Sequence, residues 1–205
     1  MGGMPISKNS PYGEPGPLPD DGVVVRSDAE ARAVVEEARR EGRPFPPLGL
    51  LGGDLCRTLG GSGDEARLRS ADAVRFPVDL GEALLDGRLH VFVAHLVART
   101  RGWGRALVAM NAQFLGPWVL GPRAHPNDGL LDVCQADLSL ADRLKVRARV
   151  RHGAHLPHPG IKQRRTAAFQ VDLGSPRAVY LDGQRCGEAR NISLRVEPDA
   201  LTVVI

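Results

Sequence analysis

From Ala73 onward the chain alternates. Ala73-Val-Arg-Phe-Pro-Val-Asp-Leu80 and Leu89-His-Val-Phe-Val-Ala-His-Leu-Val97 carry apolar residues at period two, on either side of an Asp86-Gly87 pair. Successive side chains of a strand point to opposite faces, so this period predicts half-buried strands, and Asp-Gly between them predicts a hairpin. Gly102-Trp-Gly104 interrupts the pattern, residues 105–114 resume it, and residues 118–120 add a short piece. More strands are predicted over 166–173, over 177–183 with a turn at Asp182-Gly183, and over 191–196 and 201–205. Short strands at this spacing predict a mainly β fold, a sandwich or a related antiparallel sheet. The 24 Gly and 16 Pro supply the turns and argue against a helical bundle.

Ahead of this region the pattern changes. Residues 1–20 are rich in Gly and Pro with few large apolar side chains, which predicts a disordered tail. A small α/β part is predicted over 21–66. Gly22-Val-Val-Val-Arg26 reads as a strand, and Ser27-Asp-Ala-Glu30 is a capping box that starts a helix to about Arg40. Gly42 closes that helix, and Pro44, Pro46 and Pro47 keep it closed. Leu48-Gly-Leu-Leu-Gly-Gly-Asp-Leu-Cys-Arg-Thr-Leu-Gly60 then reads as a buried strand, a glycine turn and a helical turn carrying Asp54 and Arg57. Glycines at such a junction let backbone N–H groups approach a phosphate, so Gly52 and Gly53 are candidate binding positions.

A second polar stretch is Gly121-Pro-Arg-Ala-His-Pro-Asn-Asp-Gly-Leu-Leu-Asp-Val133. Pro122 and Pro126 fix two φ angles, and Asn127-Asp128-Gly129 is a strong turn signal. Asn127 and Asp128, with Asp132 four residues on, offer oxygen ligands for a hard cation; the alternative is that they cap their own turn. Ser139-Leu-Ala-Asp142 predicts a capped helix ending at Gly153, although Lys145, Arg147, Arg149 and Arg151 alternate with apolar residues as a strand would. From Arg143 to Arg165 there are eight Lys or Arg and no acid, an excess larger than the net charge of +3. An anionic surface or phosphate group is one reading of this segment, and a solvated basic face is the other.

The mild net charge does not demand nucleic acid, and none is expected as a partner. No apolar run reaches the roughly 18 residues of a membrane-spanning helix, and the N-terminus has no basic start followed by an apolar stretch. Cys56, Cys134 and Cys186 are odd in number and far apart, which favours a reduced, cytoplasmic setting with at most peripheral membrane contact.

Asn111, Gly116 and Pro122-Arg-Ala-His-Pro-Asn-Asp-Gly-Leu-Leu-Asp132 resemble the acceptor-domain motif of the bacterial diacylglycerol kinase family, related to the sphingosine kinases and NAD kinases. Asp54, Arg57, Thr58, Leu59 and Gly60 match the family's Gly-Thr-Gly-Asn-Asp…Arg-Thr-Leu-Gly motif, with Thr-Gly-Asn missing. The resemblance covers residues 44–61 and 70–205. It implies a lipid-kinase-type β-sandwich over 70–205, preceded by a remnant of a nucleotide-binding domain. It further implies ATP at Gly52, Gly53, Asp54, Arg57 and Asn111, magnesium near Asn127, Asp128 and Asp132, and catalytic roles for Asp54, Asp182 and Gln184. Gln184 departs from the family's Asp-Gly-Glu, and a carboxamide cannot accept a proton from an attacking hydroxyl.

Three functions follow as expectations. The first is a diverged family member that binds a lipid or phosphate-bearing ligand, with weak or absent kinase activity alone. The second is an active ATP-dependent lipid kinase, completed by homo-oligomerisation or another subunit. The third is an interaction module docking through its basic segment, 143–165.

Overall fold

The computed structural model describes residues 12–205. In chain order the elements are β1 (Glu14–Pro15), β2 (Val23–Val25), α1 (Asp28–Arg40), β3 (Leu48–Leu50), α2 (Gly53–Leu59) and α3 (Glu65–Leu68). Then come β4 (Val74–Leu85), β5 (Arg88–Phe92), β6 (His95–Arg99), β7 (Arg105–Met110), β8 (Phe114–Leu115), β9 (Trp118–Val119) and β10 (Leu131–Asp137). The last are α4 (Leu140–Val150), β11 (Ile161–Thr166), β12 (Ala168–Leu181) and β13 (Gln184–Val204). Eleven strands share one hydrogen-bonded sheet in the order β1-β4-β13-β12-β6-β7-β10-β11. β5 adds to β4, and the parallel pair β2–β3 joins the end of β13.

The hairpins form where the residues dictate. Asp86-Gly87 and Asp182-Gly183 both have positive φ at their two central positions, the geometry that lets a two-residue turn follow the twist of its strands. The predicted breaks near 174–176 and 197–200 are not strand ends. β12 and β13 run through them as bulges, with pairing to the neighbour resuming on the far side. β11 was not expected as a strand. Its Lys162, Arg164 and Arg165 break the apolar period, which suits an edge strand that charges protect from further pairing.

Both helix starts use the expected caps. Ser27 Oγ accepts from Glu30 N at 3.2 Å, and Glu30 reaches back to Arg26 N at 2.7 Å. Ser139 Oγ accepts from Asp142 N at 3.2 Å, so 140–150 is a helix rather than the alternating strand its charges also allow.

Residues 1–11 of the expected tail lie outside the described residues. Residues 12–20 are packed rather than loose. β1 pairs with β4, and Leu18 is buried against Leu68, Ala73 and Val204, with its N–H bonded to Leu68 O at 2.7 Å. This segment has no core of its own and borrows one from the sheet.

Two apolar clusters are stitched by the same long strands. Phe76, Val78 and Leu80 of β4, with Leu201 and Val203 of β13, pack with α1, α2, β2 and β3. Ala83 and Leu85 of β4, with Ile192 and Leu194 of β13, belong to the sandwich interior beside Phe92, Leu107 and Leu181. Gly81 lies between them because the Phe92 ring crosses there, and a Cβ would stand 2.3 Å from it.

Candidate functional site

Where the α/β part meets the sandwich, a row of carboxylates is held by backbone. Asp182 begins the β12–β13 turn and is buried. Its oxygens accept from the N–H groups of Val93 (3.0 Å), Ala94 (2.8 Å) and His95 (3.0 Å). Arg32 of α1 brings its Nε to 3.6 Å, and the same guanidinium donates to Gln184 Oε1 at 2.7 Å. Burial pushes Asp182 up to about 7, against the three N–H groups, which favour the ionised form. In this geometry Asp182 positions the 93–95 bend, and its oxygens are already engaged.

Asp28, at the first turn of α1, accepts from Asp54 N at 2.6 Å and Leu55 N at 3.1 Å. It therefore caps α2, whose own N-cap is Gly52 and has no side chain to do so. The two glycines allow this approach. A Cβ on Gly53, at φ +96°, would stand 2.4 Å from Asp28 Oδ1, and one on Gly52 would stand 2.6 Å from Arg26 O. Burial pushes Asp28 up to about 6, the two N–H bonds pulling the other way. The N–H groups that the sequence reserved for a nucleotide phosphate are thus taken by an internal carboxylate. A phosphate there would have to displace it, so these residues as arranged do not fit ATP.

Asp54 faces away from that cap. Its carboxylate accepts from Gly116 N at 3.0 Å, and His95 Nδ1 stands 3.9 Å off. His95 is fully buried, which pushes it down to about 4 despite the neighbouring Asp54, so the imidazole is neutral. Arg57 donates to Gly116 O at 2.9 Å and stacks on the Phe114 ring at 3.8 Å. The structure thus brings Asp54, Asp182 and Gln184 into one network through His95 and Arg32. Asn111 joins the same 93–95 bend from the other side, its backbone N–H donating to Ala94 O at 2.9 Å. It lies buried, its Nδ2 donating to Asp79 O at 2.6 Å and Val93 O at 3.1 Å.

The Asn127-Asp128-Gly129 turn is tied from outside by buried Asp79, which accepts from Gly129 N at 2.8 Å and Asp199 N at 3.0 Å. Asn127 Nδ2 donates to Asp199 at 2.5 Å. Asp128 accepts from Leu130 N at 3.0 Å, so it does cap its own turn, and it also pairs with Arg165. Arg165 Nε lies 3.5 Å from buried Asp132, which burial pushes up to about 6 although Arg165 favours its charge. A guanidinium therefore stands where the cation was expected, and Asn127 is turned toward Asp199. As arranged, the three residues do not fit magnesium. Among the described residues no group of three or more His, Cys, Asp or Glu converges on a possible metal position.

An apolar cavity lies elsewhere, on the outer face of the sandwich. α4 lies across β7 and β10 without closing on them, leaving about 270 Å³ between Val108 and Cys134 below and Leu144 and Val150 above. Trp103 and Trp118 meet edge to face at 5.6 Å along its wall. Leu140, Arg143, Leu144 and Arg147, at helical spacings of three and four, bring one stripe of α4 to the same cavity. Leu140 is 66% exposed and Leu144 65%. Arg143 is fixed by donating to Gly102 O at 2.8 Å, whereas Arg147 has no ion-pair partner among the described residues.

Sequence reasoning missed Asp28, Arg32, Asp79 and Arg165. Asp28 sat inside a capping box and Arg165 inside a basic run, so each had a sufficient local explanation. The exposed leucines of α4 could have been found, since 140 and 144 are one helical turn apart, with Arg147 continuing their stripe.

The architecture defines a class: an antiparallel β-sandwich domain with a small α/β cap and an apolar pocket under its one long sandwich helix. Residues 85–205, more than half of the chain, match the YegS C-terminal NAD kinase beta sandwich-like domain, and the chain belongs to that family. Three solved structures from Bacillus anthracis str. Sterne share the fold. Two are described as candidate diacylglycerol kinases, at 14% identity with TM-scores of 0.66 and 0.65, covering 89% of this chain and 76% and 77% of theirs. A third, described as a diacylglycerol kinase, is 15% identical with a TM-score of 0.58, covering 89% and 75%. No curated protein matches significantly. The lipid-kinase resemblance and the mainly β sandwich expected from sequence are both borne out.

Proposed function

We propose that the protein is a diverged lipid-kinase-family member that binds an amphipathic lipid with an anionic head, and that it has little or no kinase activity alone. The observation that carries this is the cavity under α4: apolar walls, two tryptophans, and arginines at the stripe that borders it. At about 270 Å³ it falls near the lower end of ligand pockets, which begin at roughly 300 Å³. That is room for part of one hydrocarbon chain. Burying such a chain supplies most of the binding free energy, and Arg147 would orient a charged head by a charge-assisted hydrogen bond. Weak phosphoryl transfer follows from Asp28 holding the α2 N–H groups and from a carboxamide, Gln184, where the family pattern has a carboxylate.

Two assays test this reading. Protein passed through a lipid extract and then washed should retain anionic lipid, detected by mass spectrometry. Ala136→Phe, which fills the cavity from β10, should lose that lipid. Retention that survives the filled cavity, or no retention at all, would sink the lipid-site reading. Phosphate transfer from labelled ATP with magnesium to the same extract should be at background. Product that disappears in Asp54→Ala would make the protein an active kinase instead.

A further inference from the structure

We infer that the exposed stripe of α4 is a docking surface for an anionic membrane, set so that the cavity beneath it opens at the bilayer. The proposal rests on the lipid reading of that cavity, and it concerns the outer surface rather than the cavity itself.

α4 contributes one buried residue, Val150, and the helix otherwise lies on the surface. Leu140 and Leu144 begin a stripe that continues through Arg147 to Arg151 at the helix end. Leu140 and Leu144, one turn apart and each about two-thirds exposed, join the mouth of the cavity into one apolar patch. The surrounding charge narrows what covers it. Arg147, Arg149 and Arg151 make no ion pair among the described residues, so the last turns of α4 carry three uncompensated guanidinium groups. The acid on α4 itself, Asp142, is in the first turn and faces Lys145 rather than these arginines.

A nucleic acid would use the arginines and leave the leucines in water. An acidic membrane uses both. A short basic helix with apolar residues on its face lies in the interfacial plane, its leucines in the acyl boundary and its arginines among the headgroups. The same stripe borders the cavity, so leucines inserted at the bilayer would place the cavity mouth against its lipids.

The test is sedimentation of the full chain with vesicles of phosphatidylcholine alone or mixed with phosphatidylglycerol. Binding is expected only to the anionic vesicles, and most of it should be lost in 1 M salt, where the screening length falls to about 3 Å. Arg147→Gln with Arg149→Gln should weaken binding about twenty-five-fold, at about fivefold per charge. Leu140→Ser with Leu144→Ser should weaken it about tenfold or more. All four positions are exposed, and an unchanged far-UV spectrum will show that each variant folds.

Equal binding to neutral vesicles, or none to anionic ones, would overturn the proposal. So would unaltered binding by the leucine variant, or arginine-dependent binding to duplex DNA that exceeds vesicle binding. Ala136→Phe separates the two claims, because it should still sediment while losing retained lipid. Retention of a monomeric short-chain phospholipid without vesicle binding would sink docking alone. Vesicle binding by a protein that retains no lipid would sink the cavity reading instead.

Discussion

Replacing Asp182 by alanine and by asparagine separates two roles of one side chain. Alanine strands three buried N–H groups and leaves Arg32 without its buried counter-charge. That should cost about 3–5 kcal/mol, read as a lower denaturation midpoint. Asparagine keeps the shape and one acceptor oxygen but removes the titration. The native pKa of about 7 lies above the ordinary 3.8, so between those values the folded chain holds a proton that the unfolded chain releases. Stability from this group therefore falls as pH rises from about 4 to about 7. Asp28 and Asp132, both raised to about 6, act in the same sense, and His95, lowered to about 4, opposes them below its ordinary 6.5. Melting curves from pH 4 to 8 should thus fall less steeply in Asp182→Asn than in the parent chain. Parallel curves would show that Asp182 stays ionised throughout.

Among the elements, α4 is the one most open to local loss. It is held by its cap, by Arg143 on Gly102 and by Val150, and it covers a cavity rather than a packed seam. Ser139→Ala should cost the helix about 1 kcal/mol. The expected result is faster amide exchange over 140–150 with almost no change in global melting temperature. Equal slowing or quickening across the sheet would contradict it. At this scale the sequence could be read well wherever one local rule decided the outcome: the two caps, the two Asp-Gly hairpins, the period-two strands. It misled where a distant partner decided. Leu18 had no apolar neighbours in sequence and found Leu68 and Val204 in space. Gly52 and Gly53 carried the pattern of a phosphate turn and serve the approach of Asp28. Asp128 and Asp132 look like cation ligands until Arg165, more than thirty residues on, is placed between them. Spacing records which groups are available, and only the fold records which are already satisfied.

Across the whole molecule, β4 and β13 pass through both apolar clusters, so neither cluster can open without unpairing the strands of the other. Unfolding followed by Trp103 and Trp118 fluorescence, which reports the sandwich, should coincide with far-UV dichroism, which also reports α1 and α2. Two separated transitions would show that the α/β part and the sandwich are independent units. The parallel pairing of β3 with the end of β13 also sets an order in time. Leu48 meets Val203, more than 150 residues later in the chain. At roughly 5–20 residues per second, a ribosome makes the partner of β3 on the order of ten seconds or more after β3 itself. Through that interval β2 and β3 present an unpaired apolar edge, and a nascent chain of this design depends on something else to shield it.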